Sequence, residues 1–205
     1  IVINHEKALS NDDNPHILKT CSNLHVLLNK HLTLSTTIGI GRSYANTTGI
    51  PVSYFESYTA TMQRIMVGGD KAIHIDSIPD SNRIVYLLHE EKRILLTNYI
   101  KEADHKRACE VLGEIMDTIA RNHVPYGNVK AVYTDIAILL LKTLKDAGGS
   151  WEKIFSCDIL SESCLQTHTS LNSLFEWLKG CVMKVCDYIN ELRKTEGRKV
   201  IYEIR

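Results

Sequence analysis

Three short segments within the first 78 residues have the apolar composition of strands. Residues 1–4 predict a buried strand, and the alternation of polar and apolar residues over 71–75 predicts a half-buried one. The strand predicted over residues 34–41 is unusual, because Thr37, Gly39 and Gly41 alternate with two isoleucines. One face of this strand has almost no side chains, which indicates close packing against another element.

Two helices are predicted between these strands. Asn14 is a suitable N-cap for the first, with Pro15 at the first helical position. Its apolar residues then recur at helical spacing, at Ile17, Leu18, Cys21, Leu24 and Leu28. The second helix opens at Pro51 and ends at Gly68–Gly69. Its predicted apolar face consists of Tyr54, Tyr58, Met62, Ile65 and Met66.

Beyond Pro79 the apolar spacing is helical throughout, and no strand is predicted. We expect a break at residues 103–105 and a turn at 124–127. The predicted helices cover residues 81–101, 105–119, 129–144, 151–155 and 170–193, and a further helix begins within 200–205. The pattern therefore predicts an α+β fold, in which a partial α/β sheet over 1–78 is followed by an all-α helical bundle over 79–205.

Charge argues against a nucleic-acid contact surface on this chain. Lys and Arg together number 24, and so do Asp and Glu, whereas a phosphate-binding surface usually has a basic excess. The longest apolar run, residues 136–141, is far shorter than the roughly 18–20 residues that span a bilayer. We expect a cytoplasmic protein without direct membrane contact. The chain opens with Ile1 rather than Met, so we also expect a piece of a longer protein.

The six cysteines show neither a CxxC pair nor a Cys/His set with zinc spacing. Most lie among apolar residues at helical spacing, which favours reduced thiols in a core. Since the number is even, a disulfide scaffold stays open as an alternative.

Candidate chemistry is sparse. Residues 39–42, Gly-Ile-Gly-Arg, resemble a phosphate loop but lack the full GxGxxG and GKS/T patterns, so a closely packed strand is favoured. His89–Glu90–Glu91 resembles the start of a zinc-protease helix, but position 93 is Arg93 where a second histidine is needed. No Ser or Cys stands in a nucleophile motif. We therefore predict no catalytic residue, no metal ligand and no cofactor, and we identify no cofactor-binding residue.

Several segments together resemble a known family of regulators. Residues 36–42, 53–58 and 68–76 resemble the back half of a degenerate GGDEF-like domain, with its TIGIG strand, its helix with an SY signature and its closing strand. In the helical half, residues 87–92, 103–108, 147–149 and 175–178 resemble landmarks of AraC-type, YesN-like transcription regulators, with Ala103 in place of the usual glycine. Some of these regulators are two-component response regulators, and others are membrane-anchored sensors.

The resemblance implies a scaffold without cyclase activity, because the GGDEF signature and the front of that fold are absent. It implies a degenerate GGDEF-like piece over 1–78 and a helical regulatory or linker domain over 79–205. Residues 200–205 would lead into a helix-turn-helix DNA-binding domain that this chain lacks. DNA contact is therefore expected only through that absent domain, and no functional residue can be carried over.

The leading hypothesis is a non-catalytic signal-relay or effector-sensing region that passes a signal along residues 170–193. We expect a homodimer formed through the helical half, since paired DNA-binding domains suit symmetric half-sites. An alternative is a small-molecule effector-binding domain with a pocket between the two parts. Tyr54, Tyr58, Tyr86 and Tyr133 are candidates to line it, although core positions are favoured for each. An enzyme without a known motif is a third alternative.

Overall fold

The computed structural model describes residues 14–32, 35–79, 88–155 and 158–203. The described chain is mostly helical and contains a small parallel sheet, as expected for an α+β fold. It forms two compact units. The sheet unit comprises Ile1–Arg83 with Val124–Tyr126, and the helical unit comprises Ile84–His123 with Gly127–Arg205. The predicted identities of the two parts stay predictions.

The sheet unit is built on two parallel strands. Its elements, in chain order, are α1 (Asn14–Leu32), β1 (Ile38–Ile40), α2 (Ile50–Met62), α3 (Arg64–Val67) and β2 (Ala72–His74). Ile38 lies opposite Ala72 in the ladder, and Ile40 lies opposite His74. Both α1 and α2 pack on this sheet. Gly68 ends α3 with a φ of 81°, a left-handed conformation that glycine adopts without a steric penalty.

Gly39 in β1 and Gly41 just after it allow α2 to lie directly on this segment. A Cβ atom at Gly39 would stand 1.9 Å from the carbonyl oxygen of Ser57, and one at Gly41 would stand 2.1 Å from that of Ser53. Real side chains cannot occupy such distances, so the predicted close packing of this strand is confirmed. The space beside these glycines is filled by helix backbone, which leaves the phosphate-loop alternative without support.

Three predictions for this unit need correction. Both described strands are shorter than predicted, and the strand predicted over 1–4 lies outside the described residues. Tyr54 is 71% exposed and does not belong to the core. The reason is that α2 turns Ser53, Ser57 and Thr61, spaced four residues apart, toward the side-chain-free face of β1. Helix α2 also ends at Met62, so Ile65 belongs to the next helix, α3.

The helical unit contains five helices within the described ranges. They are α4 (Glu90–Lys101), α5 (His105–Asn122), α6 (Tyr126–Asp146), α7 (Glu162–Gln166) and α8 (Leu171–Glu203), with Tyr126 of α6 counted in the sheet unit. Helix α5 packs against both α4 and α8. The buried side chains of α5 and α8 lie at the predicted helical spacing. Together with buried side chains of α6 such as Ile136 and Leu140, they form the core of the unit. Burial of apolar surface stabilises a fold by about 25 cal/mol for each Å² removed from water.

The predicted break between α4 and α5 is confirmed. Ala103 has a φ of 59°, in the left-handed region that favours glycine. Asp104 then caps α5, because its Oδ1 accepts a hydrogen bond from the backbone N–H of Arg107 at 3.0 Å. The chain therefore turns sharply here and starts a new helix at once.

Helix boundaries in this unit differ from the prediction at several places. Helix α4 begins at Glu90, because His89 has extended backbone with a ψ of 144°, and the part of the predicted helix over 81–87 lies outside the described residues. Residues 151–153 form a single 3₁₀ turn, and the short helix α7 was not predicted. Helix α8 is continuous over 33 residues, so no separate helix begins at Val200. Only one glycine and no proline lie between 194 and 199, and a lone glycine costs a helix about 1 kcal/mol.

Two further features bear on function classes. Among the residues that the structure describes, no helix combines the length and the apolar composition that a membrane span needs. No disulfide joins any of the described cysteines, and Cys157 lies outside them. Cys181 and Cys186 are buried in α8, as a core position requires.

Candidate functional site

A polar cluster lies where the two strands end. Arg42 follows β1 and Asp76 follows β2, and the carboxyl ends of parallel strands meet at one edge of a sheet, where α/β folds often place ligands. The Nε of Arg42 donates to Oδ1 of Asp76 at 2.7 Å. Its Nη1 donates to Oε1 of Glu56 on α2, also at 2.7 Å. Arg42 thus joins both strand ends to the covering helix.

Glu56 is the buried centre of this cluster, with only 8% of its surface exposed. Besides the Arg42 side chain, its carboxylate accepts hydrogen bonds from the backbone N–H of Arg42 at 2.8 Å and from the hydroxyl of Tyr44 at 2.9 Å. A buried carboxylate is tolerated only when it is paired and hydrogen-bonded, as here. The hydrogen bonds to Asp76 and Glu56 raise the pKa of Arg42, so the guanidinium stays charged.

His74 completes the cluster from the last position of β2. Its Nδ1 accepts a hydrogen bond from the backbone N–H of Asp76 at 3.2 Å, which places the proton of the neutral ring on Nε2. That buried Nε2 has no hydrogen-bond partner among the described residues. The cluster has two carboxylates and one guanidinium, and this balance disfavours an anionic ligand. Its geometry serves to tie the strand ends together.

A second candidate site lies in the helical unit, where α8 is attached to the end of α4. The Nη1 of Arg193 donates to the carbonyl oxygen of Glu102 at 3.1 Å, and its Nη2 donates to the carbonyl oxygen of Lys101. The last carbonyls of a helix have no intrahelical partner and carry the negative end of the helix dipole. A guanidinium therefore suits this position. Lys194 and Thr195, the next two side chains, are exposed.

Arg193 also lines an open cavity of about 630 Å³. The other polar side chains of the wall are Lys101 of α4 and Thr143 and Asp146 of α6, and Ile189 and Leu192 of α8 form its apolar side. Among the described residues, no carboxylate pairs with Lys101 or Arg193, and no cation pairs with Asp146.

The tyrosines proposed as pocket residues have different surroundings. Tyr54 is exposed and Tyr58 is half-buried in the sheet unit. Tyr133 is buried in the helical unit, where its hydroxyl donates to the carbonyl oxygen of Ile159 at 2.6 Å, so its interpretation as a core residue is confirmed. Tyr86 lies outside the described residues.

The His89–Glu90–Glu91 segment forms the start of α4. Glu90 pairs with Arg93 through two hydrogen bonds of 2.6 and 2.8 Å, and Arg93 lowers the pKa of that carboxyl. This geometry is that of a solvated helix face. Within the described ranges, no group of three His, Cys, Asp or Glu side chains is placed to hold a metal ion.

Sequence reasoning missed both sites. Glu56 is the one available signal, since it is the only charged residue of α2. Nothing local distinguishes Arg193 from the other basic residues of α8. Comparison with known proteins adds no relative: no family model, no curated protein and no solved structure matches this chain.

Proposed function

We propose that this chain is the non-catalytic regulatory region of an AraC-type transcription regulator, which relays a signal along α8 to a DNA-binding domain. In this proposal residues 1–78 are a degenerate GGDEF-like scaffold, and residues 79–205 lead into the helix-turn-helix. The observation that carries it is the construction of α8. One helix of 33 residues is packed at its front and runs on beyond its last described attachment, Arg193.

The packed part of α8 supports a relay because it has one continuous buried face. Its buried apolar side chains are Leu174, Leu178, Cys181, Val182, Val185, Cys186 and Ile189. These face a unit in which α8 packs on α5 and α4. Close-packed interfaces switch between discrete arrangements instead of deforming continuously, so a shift of α4 or α5 would move α8 as a rigid body.

The polar cluster of the sheet unit supports a scaffold role for the first part. Each charge of Arg42, Glu56 and Asp76 is engaged within the cluster. A general base or nucleophile needs a group that is poised to react with a substrate, and these side chains are committed to one another. We therefore assign them to holding the strand ends against α2.

The relay can be tested by insertions in α8 that rotate the residues beyond them about the helix axis. One alanine inserted after Thr195 rotates everything beyond it by about 100°, whereas four alanines restore the phase to within about 40°. In a promoter-reporter assay on the parent protein, we expect one alanine to abolish regulation and four to restore most of it. Unchanged regulation in both insertion variants would overturn the relay. A parent protein without a DNA-binding domain after Arg205 would also overturn it.

We also propose that the regulator is a homodimer, because paired recognition helices match the two-fold symmetry of operator half-sites. Multi-angle light scattering over a concentration series measures this directly. A mass that stays at that of one chain at high concentration would contradict it.

A further inference from the structure

We propose that the cavity between α4, α6 and α8 binds a small zwitterion of the amino-acid type, and that binding draws Arg193 away from the end of α4. The inference rests on the proposed relay through α8, since it names the effector class for that relay. The site is the cavity lined by Lys101, Asp146 and Arg193, with its apolar side formed by α8.

The charges of the wall select the ligand class. Lys101 and Arg193 supply two positive groups, and neither pairs with a carboxylate in the described part of the chain. Asp146 supplies one negative group at the last position of α6, where the helix dipole adds negative potential. A carboxylate fits the two cations and an ammonium fits Asp146. Polyanions such as phosphate are disfavoured, because Asp146 repels additional negative charge.

The chemistry of Arg193 favours a carboxylate as its partner. At present its guanidinium donates to two neutral carbonyl oxygens. A carboxylate offers two charged acceptors in the plane of the guanidinium fork, and such charge-assisted pairs are about twice as strong as neutral hydrogen bonds. The ligand therefore competes directly with the carbonyls of Lys101 and Glu102.

The apolar part of the cavity wall would contact the side chain of the amino acid. Ile189 lies four residues before Arg193 and so on the same face of α8, and Leu192 also lines the cavity. Ala147, directly after α6, also lines the cavity. An aliphatic side chain can pack here, which favours a neutral, aliphatic amino acid over a strongly charged one.

Ligand binding would loosen α8 at its last described attachment. When Arg193 turns to the carboxylate, the hydrogen bonds to the end of α4 are lost, and the helix beyond residue 193 is released. By linkage, the factor by which the ligand favours release of Arg193 from α4 equals the factor by which that release strengthens ligand binding. The cavity thereby connects ligand binding to the segment that leads toward the proposed DNA-binding domain.

Isothermal titration of the whole chain tests the site. The probes are glycine, alanine, valine, leucine, glutamate and lysine, with acetate, methylamine and inorganic phosphate as partial or mismatched ligands. We expect saturable binding of a neutral aliphatic amino acid that is at least about tenfold tighter than acetate or phosphate. No binding across the amino acids, or equal binding of phosphate, would overturn the site.

Matched variants locate the binding. Lys101→Gln and Arg193→Gln each remove one positive charge from the wall, and Asp146→Asn removes the negative one. We expect each to weaken binding by at least about tenfold. Arg121→Gln is the control, because it removes a positive charge from an 80% exposed side chain outside the cavity wall. Circular dichroism checks that all four variants are folded, and unchanged binding in Arg193→Gln would overturn the proposal.

Hydrogen exchange separates the site from the relay. We expect saturating amino acid to increase amide exchange in residues 194–203 of the wild-type chain, and Arg193→Gln to show that increase without ligand. Binding without a change in exchange would overturn the release of Arg193 and leave the binding site standing. If Arg193→Gln increases amide exchange in residues 194–203 but no amino acid binds the wild-type chain, the binding site is overturned. The relay through α8 would then still stand.

Discussion

Glu56 accepts two hydrogen bonds from Arg42, one from the side-chain Nη1 at 2.7 Å and one from the backbone N–H at 2.8 Å. One carboxylate thereby binds both the guanidinium and the backbone N–H of Arg42, which lies just after β1. Since Glu56 is buried on α2, this pair ties the strand end to its covering helix.

Glu56→Gln should destabilise the protein. The amide cannot replace a charged acceptor that serves three donors, and the guanidinium of Arg42 loses a partner. Because the Arg42 side chain is 52% exposed, solvent compensates in part, and we expect a loss of roughly 1–3 kcal/mol rather than the larger cost of a fully buried pair. Urea denaturation measures the change. Glu110→Gln, on the exposed side of α5, is the control and should change stability by less than about 0.5 kcal/mol.

Gly39→Ala should destabilise the protein. The new Cβ would stand 1.9 Å from the carbonyl oxygen of Ser57, so α2 must move off the strand. Overpacking of this kind costs about 1–3 kcal/mol or more. Gly180→Ala is the matched comparison, because no atom lies within 4 Å of its added Cβ and the change favours a helix by about 1 kcal/mol. Thermal melts in which both variants shift in the same direction would contradict the packing of α2 on β1.

Ala103→Gly should stabilise the break between α4 and α5. Ala103 has a φ of 59°, and a side chain in this region costs roughly 1–2 kcal/mol. Part of that gain is offset, since glycine increases the entropy of the unfolded chain, and we expect a net gain of about 0.5–1 kcal/mol. Ala131→Gly, on the exposed face of α6, should instead destabilise by about 1 kcal/mol. Chemical denaturation of both variants tests the sign.

Stability should fall in mild acid because of His168. Burial lowers the pKa of this imidazole, whose Nδ1 lies 3.1 Å from the hydroxyl of Ser173 and whose ring contacts Trp177. A histidine with a lowered pKa stays neutral in the folded state, while the unfolded chain binds a proton near its usual pKa of about 6.5. The contribution of neutral His168 to the free energy of unfolding is therefore complete above pH about 6.5. It is lost as the pH falls from there toward the lower pKa of His168 in the folded state.

His168→Gln tests this assignment, since glutamine can keep a hydrogen bond to Ser173 but does not titrate. The difference in unfolding free energy between neutral and mildly acidic pH should be smaller in His168→Gln than in the wild-type protein. His105→Gln, which removes a half-exposed histidine from the start of α5, serves as the control. A pH dependence that disappears in the control and persists in His168→Gln would contradict the role of His168.

Local patterns were sufficient for much of the fold. The apolar spacing of α5 and α8, the break at Ala103 and the end of α3 at Gly68 follow from residues within one or two turns of one another. The glycines at positions 39 and 41 likewise indicate, from the sequence, that another element lies close to this segment. These features depend on backbone conformation and on the spacing of apolar residues along the chain, and both are set by neighbouring residues.

Tertiary structure alone decided which residues work together. Arg42 meets Glu56 and Asp76 across 14 and 34 positions, and Arg193 meets the carbonyl of Glu102 across 91. Periodicity assigned Tyr54 to the core, and only the fit of α2 onto the bare face of β1 turned it to solvent. Hydrogen bonds over such separations depend on strand register and helix packing, and these are set by the summed burial of many side chains rather than by any local pattern.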